Sequence, residues 1–149
     1  MADTYTSLLY HIVFSTKNRA PIITKDIKSP LYEYIGGVVR SERGSLLEIG
    51  GVEDHVHLLA RFKPISAIAD TIRLIKTNSS KWLNESIVSD RFQWQTGYGA
   101  FTVSKSTLAD VSRYIRNQPG HHRKHTFKEE FIRLLELNDI DYDEKYLWV

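Results

Sequence analysis

The first candidates for chemistry in this sequence are two histidines separated by one residue, His55 and His57. In a β-strand the side chains at positions i and i+2 point to the same face, so both imidazoles would lie side by side. Val56, Leu58 and Ala60 would then form the opposite, buried face. Two neutral imidazoles at this spacing are able to bind one divalent metal ion. The motif alone leaves open the alternative of two partly exposed strand histidines without a metal.

The second candidate group is a tyrosine with a glutamine four residues later, Tyr114 and Gln118. Residues at i and i+4 share a helical face, which would bring the phenol and the amide together. A tyrosine nucleophile needs a general base or nearby cations, and we expect the flanking Arg113 and Arg116 to favour the phenolate. Pro119 disfavours helical geometry in the preceding residue, which puts Gln118 at or just past the helix end. The alternative is an ordinary half-buried helix tyrosine.

Charge is distributed unevenly along the chain, although the formal net charge is only +2. Basic side chains are concentrated in residues 105–128, and residues 129–149 are acidic. A basic block suits a polyanion such as DNA, but a solvated basic helix beside an acidic tail has the same pattern. The candidate DNA-binding residues are Arg73, Lys76, Thr77, Ser80, Arg113, Arg116, Arg123 and Lys124.

Eight elements in the order β-α-β-β-α-β-α-α are expected to position these residues. Alternating apolar residues predict strands over residues 5–15, 45–52, 54–62 and 92–104. Helical spacing begins at Ile27, and the start of this first helix stays open, because Pro30 fits best if Ser29 caps the helix and Pro30 opens it. Ser66, Ser106 and Thr126 are the expected caps of the later helices, the last with a capping box. The turn between the second and third strands is too short for a crossover, so these strands should be antiparallel. The order predicts an α+β fold with a ferredoxin-like antiparallel sheet packed with helices.

Composition excludes several classes of protein. Cysteine is absent, which excludes disulfides, thiolate metal sites and cysteine nucleophiles. There is no apolar run of about 18 residues and no signal-like N-terminus, so we expect a cytoplasmic protein without a membrane partner. No repeat or linker divides the chain, which predicts one domain over residues 1–149.

Several segments, in a fixed order, make the chain similar to a known family. They are YHIVFSTK at 10–17, DHVHLL at 54–59, WQTGYGAFTVS at 94–104, YIRNQ at 114–118, the His121-His122 pair, and YDEKYLW at 142–148. Over nearly its whole length the chain resembles the single-tyrosine HUH transposases of bacterial insertion sequences (the IS-two-hundred-like group), including their repeat-associated relatives. The resemblance implies a single HUH transposase domain over residues 1–149.

The resemblance also implies an activity and a set of site residues. It assigns His55, His57 and Gln118 as metal ligands and Tyr114 as the nucleophile that attacks a DNA phosphate to give a 5′-phosphotyrosine. A phosphate substrate favours Mg²⁺ or Mn²⁺ as the cofactor. The implied partners are single-stranded DNA with hairpin ends, and a second copy of the chain in a homodimer. In such dimers the tyrosine helix of one subunit can complete the site of the other.

Three other functions stay open. One is a domesticated repeat-associated transposase acting on genomic palindromes, and another is a different HUH enzyme, such as a replication initiator or relaxase. The third is a non-catalytic protein that binds single-stranded nucleic acid. Individual side chains also have two interpretations: His11 is either a neighbour of the site or a satisfied strand histidine. Trp94, Tyr98 and Phe101 either stack on unpaired bases or pack in the protein.

Overall fold

The chain forms four strands and six helices in a computed structural model that describes residues 2–87 and 91–149. The strands are β1 (Leu9–Ser15), β2 (Ser45–Val52), β3 (His55–Arg61) and β4 (Gly99–Thr102). The helices are α1 (Lys25–Ser41), α2 (Ile68–Ser86), α3 (Leu108–Arg116), α4 (Gln118–His121), α5 (Phe127–Leu137) and α6 (Glu144–Leu147). The predicted order is confirmed, with α4 and α6 as short additions. None of the helices in the described ranges is long and apolar enough to cross a membrane.

The strands form one antiparallel sheet with the order β2-β3-β1-β4. β1 lies inside the sheet, where Val13 pairs with His57 and Ser15 with His55. On the other side of β1, His11 pairs with Phe101 of β4. This strand order, with α1 and α2 as the crossover helices, is the predicted ferredoxin-like arrangement.

One face of the sheet packs against α1 and α2 in the largest apolar cluster of the described residues. Ile12 and Phe14 of β1, and Val56 and Leu58 of β3, are buried there. Removing side chains of this size from water stabilises the fold by about 1.5–3 kcal/mol each. This mainly apolar layer therefore holds the sheet in place.

The other face is covered by α3 and α5 and is divided into two smaller apolar clusters. Leu59 packs with Ile115 in one cluster, and Val13 packs with Phe131 in the other. The helix α3 packs directly on β2 at Gly50. The approach is so close that a methyl group on Gly50 would overlap the backbone carbonyl oxygen of Ile115. The polar side chains described below lie between the two clusters.

Several predicted element bounds are wrong for local physical reasons. The helix α1 begins at Lys25 and contains Pro30, so Pro30 does not open it; its buried stripe starts at Ile27, as the spacing predicts. The first strand begins at Leu9, where the pairing with Arg61 of β3 begins.

The later elements begin close to the predicted residues, except for β4. Within the predicted strand 92–104 only Gly99–Thr102 forms β4, while Trp94 makes an isolated bridge to Thr16. The helix α2 begins at Ile68, after Ser66, and a 3-10 turn over Lys105–Thr107 precedes α3. The predicted capping box of Thr126 is confirmed.

Candidate active site

His55 and His57 lie on the α3/α5 face of β3, and both are 0% exposed. They share one face, as predicted, but helices cover that face and leave neither imidazole at the surface. The Nδ1 atom of His55 lies 2.7 Å from Asp54 Oδ1. The Nδ1 atom of His57 lies 2.8 Å from His11 Nε2, so the interpretation of His11 as a neighbour of the site is the correct one. With Nδ1 engaged, each ring directs Nε2 towards α5.

A third imidazole, that of His122, is oriented in the same way. Its Nδ1 donates to the backbone oxygen of His125 at 2.7 Å. Its Nε2 points towards the two strand histidines, and its ring centroid lies 4.4 Å from that of His55. The His121-His122 pair is part of the family resemblance and of the basic segment before α5, but no catalytic role was predicted for it.

The three rings meet at Glu130 of α5, a residue that sequence analysis missed. Its Oε1 atom lies 2.9 Å from His57 Nε2, 3.0 Å from His122 Nε2 and 3.3 Å from His55 Nε2. Burial would raise the pKa of this carboxyl, but hydrogen bonds from the three rings outweigh burial and hold the pKa well below its ordinary value. The signal was helical spacing, because position 130 lies on the same stripe as Phe127 and Leu134.

Tyr114 and Gln118 meet at the second oxygen of the same carboxylate. The Tyr114 hydroxyl donates to Glu130 Oε2, and Gln118 Nε2 donates to that atom at 3.0 Å. The amide oxygen of Gln118 lies 2.9 Å from His55 Nε2. The helix α3 ends at Arg116 and Gln118 opens α4, so Gln118 does lie past the helix end, as Pro119 predicted. Convergence on Glu130, more than a shared helical face, brings the two side chains together.

The arginines that flank Tyr114 do not favour its phenolate, and that prediction is wrong. Burial, together with the charge of Glu130, raises the pKa of Tyr114 above its ordinary value. Arg113 instead pairs with Asp110, and Arg116 lies 3.7 Å from Glu48 of β2. Arg133 of α5 opposes the increase.

The buried histidines differ in their titration. Burial lowers the pKa of His57 to about 4 and that of His11 to about 3. Burial acts in the same direction on His55, but hydrogen bonds to Asp54 and Glu130 outweigh it and raise the pKa to about 9. The surroundings therefore favour the neutral form of His11 and His57 and the protonated form of His55, which lies between the carboxylates of Asp54 and Glu130.

Solvent reaches Tyr114 through a cleft of about 740 Å³ between α3 and α5. Tyr114, Glu130 and His121 line it, and Arg133 contributes a cation. Tyr114 and its partner Glu130 therefore line a cleft that a ligand can enter.

The structure does not bring the predicted DNA-binding residues together. A groove of about 890 Å³ is lined by Arg73, Lys76, Thr77 and Ser80, and also by Tyr98 and Trp148. Lys76 donates to the backbone oxygens of Thr96 at 3.0 Å and Gly97 at 2.8 Å. Burial lowers the pKa of Lys76 to about 8.

Arg123 and Lys124 lie elsewhere, in a cleft of about 570 Å³ that also contains Asp54 and Phe127. Arg113 and Arg116 of α3 line neither the groove nor this cleft, so the predicted set does not form one surface. Of the three aromatic residues considered for base stacking, Trp94 and Phe101 are buried, and Tyr98 is 39% exposed.

The comparisons with known proteins identify a family. The family model described as "Transposase IS200 like" matches residues 4–118. The chain belongs to the IS200-like transposase family. The match contains His55, His57, Tyr114 and Gln118, and ends before His122 and Glu130.

Similar individual proteins are also transposases. This family member is 25% identical over 118 residues to the ISDra2 transposase TnpA of Deinococcus radiodurans, across 74% of this chain and 84% of that protein. A crystal structure of a candidate transposase from the same organism has a TM-score of 0.66 at 23% identity, covering 79% of this chain and 95% of that one. A REP-associated tyrosine transposase bound to a REP hairpin has a TM-score of 0.62 at 14% identity, covering 82% and 73%. These two structures share the fold.

Proposed function

We propose that this IS200-like transposase cleaves and rejoins single-stranded DNA through a 5′-phosphotyrosine formed on Tyr114. One observation carries the proposal. The Tyr114 hydroxyl stands at the wall of the α3/α5 cleft and donates to Glu130, whose other oxygen contacts His55 and His57. A candidate nucleophile, a hydrogen-bond acceptor that orients it and metal-binding side chains therefore share one site.

The proposed reaction is a transfer of a DNA phosphate to Tyr114. Tyr114 Oη attacks the phosphorus in line, its bond to phosphorus forms, and the bond from phosphorus to the 3′ oxygen breaks. Glu130 Oε2 accepts the hydrogen bond that orients the hydroxyl, its proton leaves to solvent in the α3/α5 cleft, and the departing strand ends in a 3′-OH after it takes up a proton. The energy of the phosphodiester is kept in the phosphotyrosine, so a second 3′-OH can reverse the reaction and join new strands.

The side chains fit the divalent metal that the family resemblance implies. His55 and His57 direct Nε2 into the site, and the amide oxygen of Gln118 lies beside His55 Nε2. We propose these three residues as ligands of Mg²⁺ or Mn²⁺. When bound there, the ion would polarise the scissile phosphate and stabilise charge on the leaving oxygen.

We propose a hairpin end of an insertion sequence as the DNA substrate. A solved relative with the same fold is bound to a REP hairpin. In this chain the groove beside α2 offers Lys76 for a phosphate and the exposed ring of Tyr98 for an unpaired base. Arg123 and Lys124 offer a second phosphate-binding surface beside the site.

The decisive experiment is covalent trapping. The protein is incubated with Mn²⁺ and labelled single-stranded oligonucleotides that tile the hairpins flanking the coding region, then resolved under denaturing conditions. We expect a labelled protein adduct that Tyr114→Phe abolishes. Tyr34→Phe is the matched control, because Tyr34 stacks on Trp82 on the other side of the sheet. If the protein forms no adduct and Tyr114→Phe leaves any cleavage unchanged, the catalytic assignment is wrong.

We also propose that the protein acts as a homodimer, as the family resemblance implies. Within one chain, Tyr114 already contacts Glu130, an arrangement in which each subunit uses its own tyrosine. Mixing Tyr114→Phe with His57→Ala tests this directly. The mixture stays inactive if tyrosine and histidines act within one chain, whereas recovered cleavage means that they act across the dimer.

A further inference from the structure

We propose that His122 and Glu130 are metal ligands, which with His55 and His57 form a site of three imidazoles and one carboxylate that favours Mn²⁺ over Mg²⁺. The inference rests on the proposed function, because it concerns the same site, but it extends the ligand set beyond the residues that the family resemblance assigns. It also replaces an open choice between two metals by a stated preference.

The spacing of the ligand atoms is the first argument. His55, His57, His122 and Glu130 each offer one ligand atom, and these atoms lie within 4.8 Å of one another. From Glu130 Oε1, the distances to the three Nε2 atoms are 2.9, 3.0 and 3.3 Å. A metal with bonds of roughly 2.0–2.3 Å holds adjacent ligand atoms roughly 3–3.5 Å apart. The four side chains thus already have the spacing of a coordination shell.

The orientation of the three rings is the second argument. Each ring has its Nδ1 engaged: that of His55 by Asp54, that of His57 by His11 and that of His122 by a backbone oxygen. Metal-bound histidines are held in this way by a partner on the nitrogen that does not bind the ion. The partners leave Nε2 of every ring directed at one point.

The local sequence explains how His122 and Glu130 reach β3. His122 follows α4 directly, and the Thr126 capping box fixes the start of α5 four residues later. The backbone oxygen of His125, within that turn, holds the His122 ring. Glu130 is only 3% exposed, and a buried carboxylate is costly unless cationic partners or a metal compensate it.

The donor types decide the metal. Mg²⁺ prefers oxygen ligands and keeps several waters, whereas imidazole nitrogen favours first-row transition metals. A site with three imidazoles therefore binds Mn²⁺ more tightly than Mg²⁺, and Zn²⁺ more tightly than Mn²⁺ by the usual order of these ions. The amide oxygen of Gln118 lies beside His55 Nε2 and is a further donor at the same site.

The first test uses the unsubstituted protein. After treatment with EDTA and its removal, isothermal titration calorimetry compares MgCl₂, MnCl₂ and ZnCl₂ without any DNA. Pulsed EPR of the bound Mn²⁺ then counts the coordinated imidazole nitrogens. We expect the affinity order Zn²⁺, Mn²⁺, Mg²⁺ and three imidazoles. Two imidazoles, or equal affinity for Mg²⁺ and Mn²⁺, would overturn the inference.

The second test uses matched variants. Glu130→Gln and His122→Gln should each weaken Mn²⁺ binding by about 100-fold or more, because even loss of an outer hydrogen-bond partner of a ligand costs about 10- to 100-fold. Glu129→Gln is the control for the acid, since glutamine can keep the capping box with Thr126. His125→Gln is the control for the histidine, since only the backbone oxygen of His125 contacts His122.

The outcomes separate this inference from the proposed function. If His57→Ala abolishes Mn²⁺ binding while Glu130→Gln and His122→Gln bind normally, the four-residue site is wrong and the metal site of the proposed function stands. If metal binding depends on all four residues but Tyr114→Phe still forms the adduct, the nucleophile is wrong and the ligand set stands. Circular dichroism of each variant checks that a loss of binding is not a loss of fold.

Discussion

The two faces of the sheet bury neighbouring residues for different purposes. His57 and Leu58 are adjacent on β3, both are 0% exposed, and they point in opposite directions. Leu58 packs against apolar side chains of α1 and α2, where many weak van der Waals contacts together stabilise the fold. His57 meets individual polar atoms, one on each ring nitrogen. Burial alone therefore does not distinguish a structural residue from a functional one, but the number and kind of its partners do.

The largest expected effect is on the polar face. His57→Ala should reduce metal-dependent DNA cleavage at least about 100-fold, because metal assistance contributes several kcal/mol to the transition state. Single-stranded DNA binding, measured by fluorescence anisotropy, should survive. Cleavage at the normal rate would mean that His57 is not part of the active site and that its burial, like that of Leu58, is only structural.

The matching change on the apolar face should act on stability. Leu58→Ala removes a fully buried side chain, and we expect a loss of about 2–5 kcal/mol in the free energy of unfolding. Denaturant titration measures this loss. Cleavage per folded molecule should stay normal, and a specific loss of cleavage would mean that the two faces are not separate in function.

A smaller effect is expected where α3 lies on the sheet. Gly50→Ala forces the Ile115 backbone away from β2, at an expected cost of about 1–3 kcal/mol, and moves the helix that carries Tyr114. Adduct formation should therefore slow although no site residue has changed. Gly37→Ala is the control: its methyl group would lie 3.8 Å from Arg40, an ordinary contact, and should stabilise α1 by about 0.5–1 kcal/mol. Equal behaviour of the two variants would contradict this account.

The smallest effect concerns pH. Burial lowers the pKa of Lys76 to about 8, so this side chain loses its positive charge as the pH rises through 8. If Lys76 contacts phosphate, the affinity for single-stranded DNA should decrease severalfold between pH 7 and pH 9. Lys76→Arg should remove this decrease, because arginine stays charged. A pH profile that is the same for both proteins would place the phosphate contact elsewhere.

Much of the fold was predictable because it depends on periodicity. The alternation around His55 gave the correct strand and face, and the short turn after Val52 gave the correct hairpin. Element ends were less predictable, since they depend on packing partners distant in sequence. Pro30 illustrates this limit, because the buried stripe of α1 extends to both sides of it.

The site was predictable only in part. Spacing made His55 with His57, and Tyr114 with Gln118, candidate pairs, and the family resemblance implied their roles. The meeting of the two pairs at one carboxylate depends on Glu130. That residue stands in an ordinary-looking acidic run at the start of a helix, and only the turn between α4 and α5 brings it to β3. The ion pairs of Arg113 and Arg116 are also tertiary, so the sequence alone could not exclude these residues as activators of Tyr114.

The break between α3 and α4 has a consequence for the order of events in strand transfer. Tyr114 belongs to α3, while Gln118 and His122 belong to α4 and its end, and Asn117 is the single residue between the helices. At this end of α3, a rotation of the helix relative to α4 therefore needs a change of backbone angles at Asn117 only. If Tyr114 holds a DNA end as proposed, that end would move with α3, while His55 and His57 stay on β3 and His122 stays at the end of α4. Such a movement would carry one strand away and admit a second one without any change in the histidine cluster.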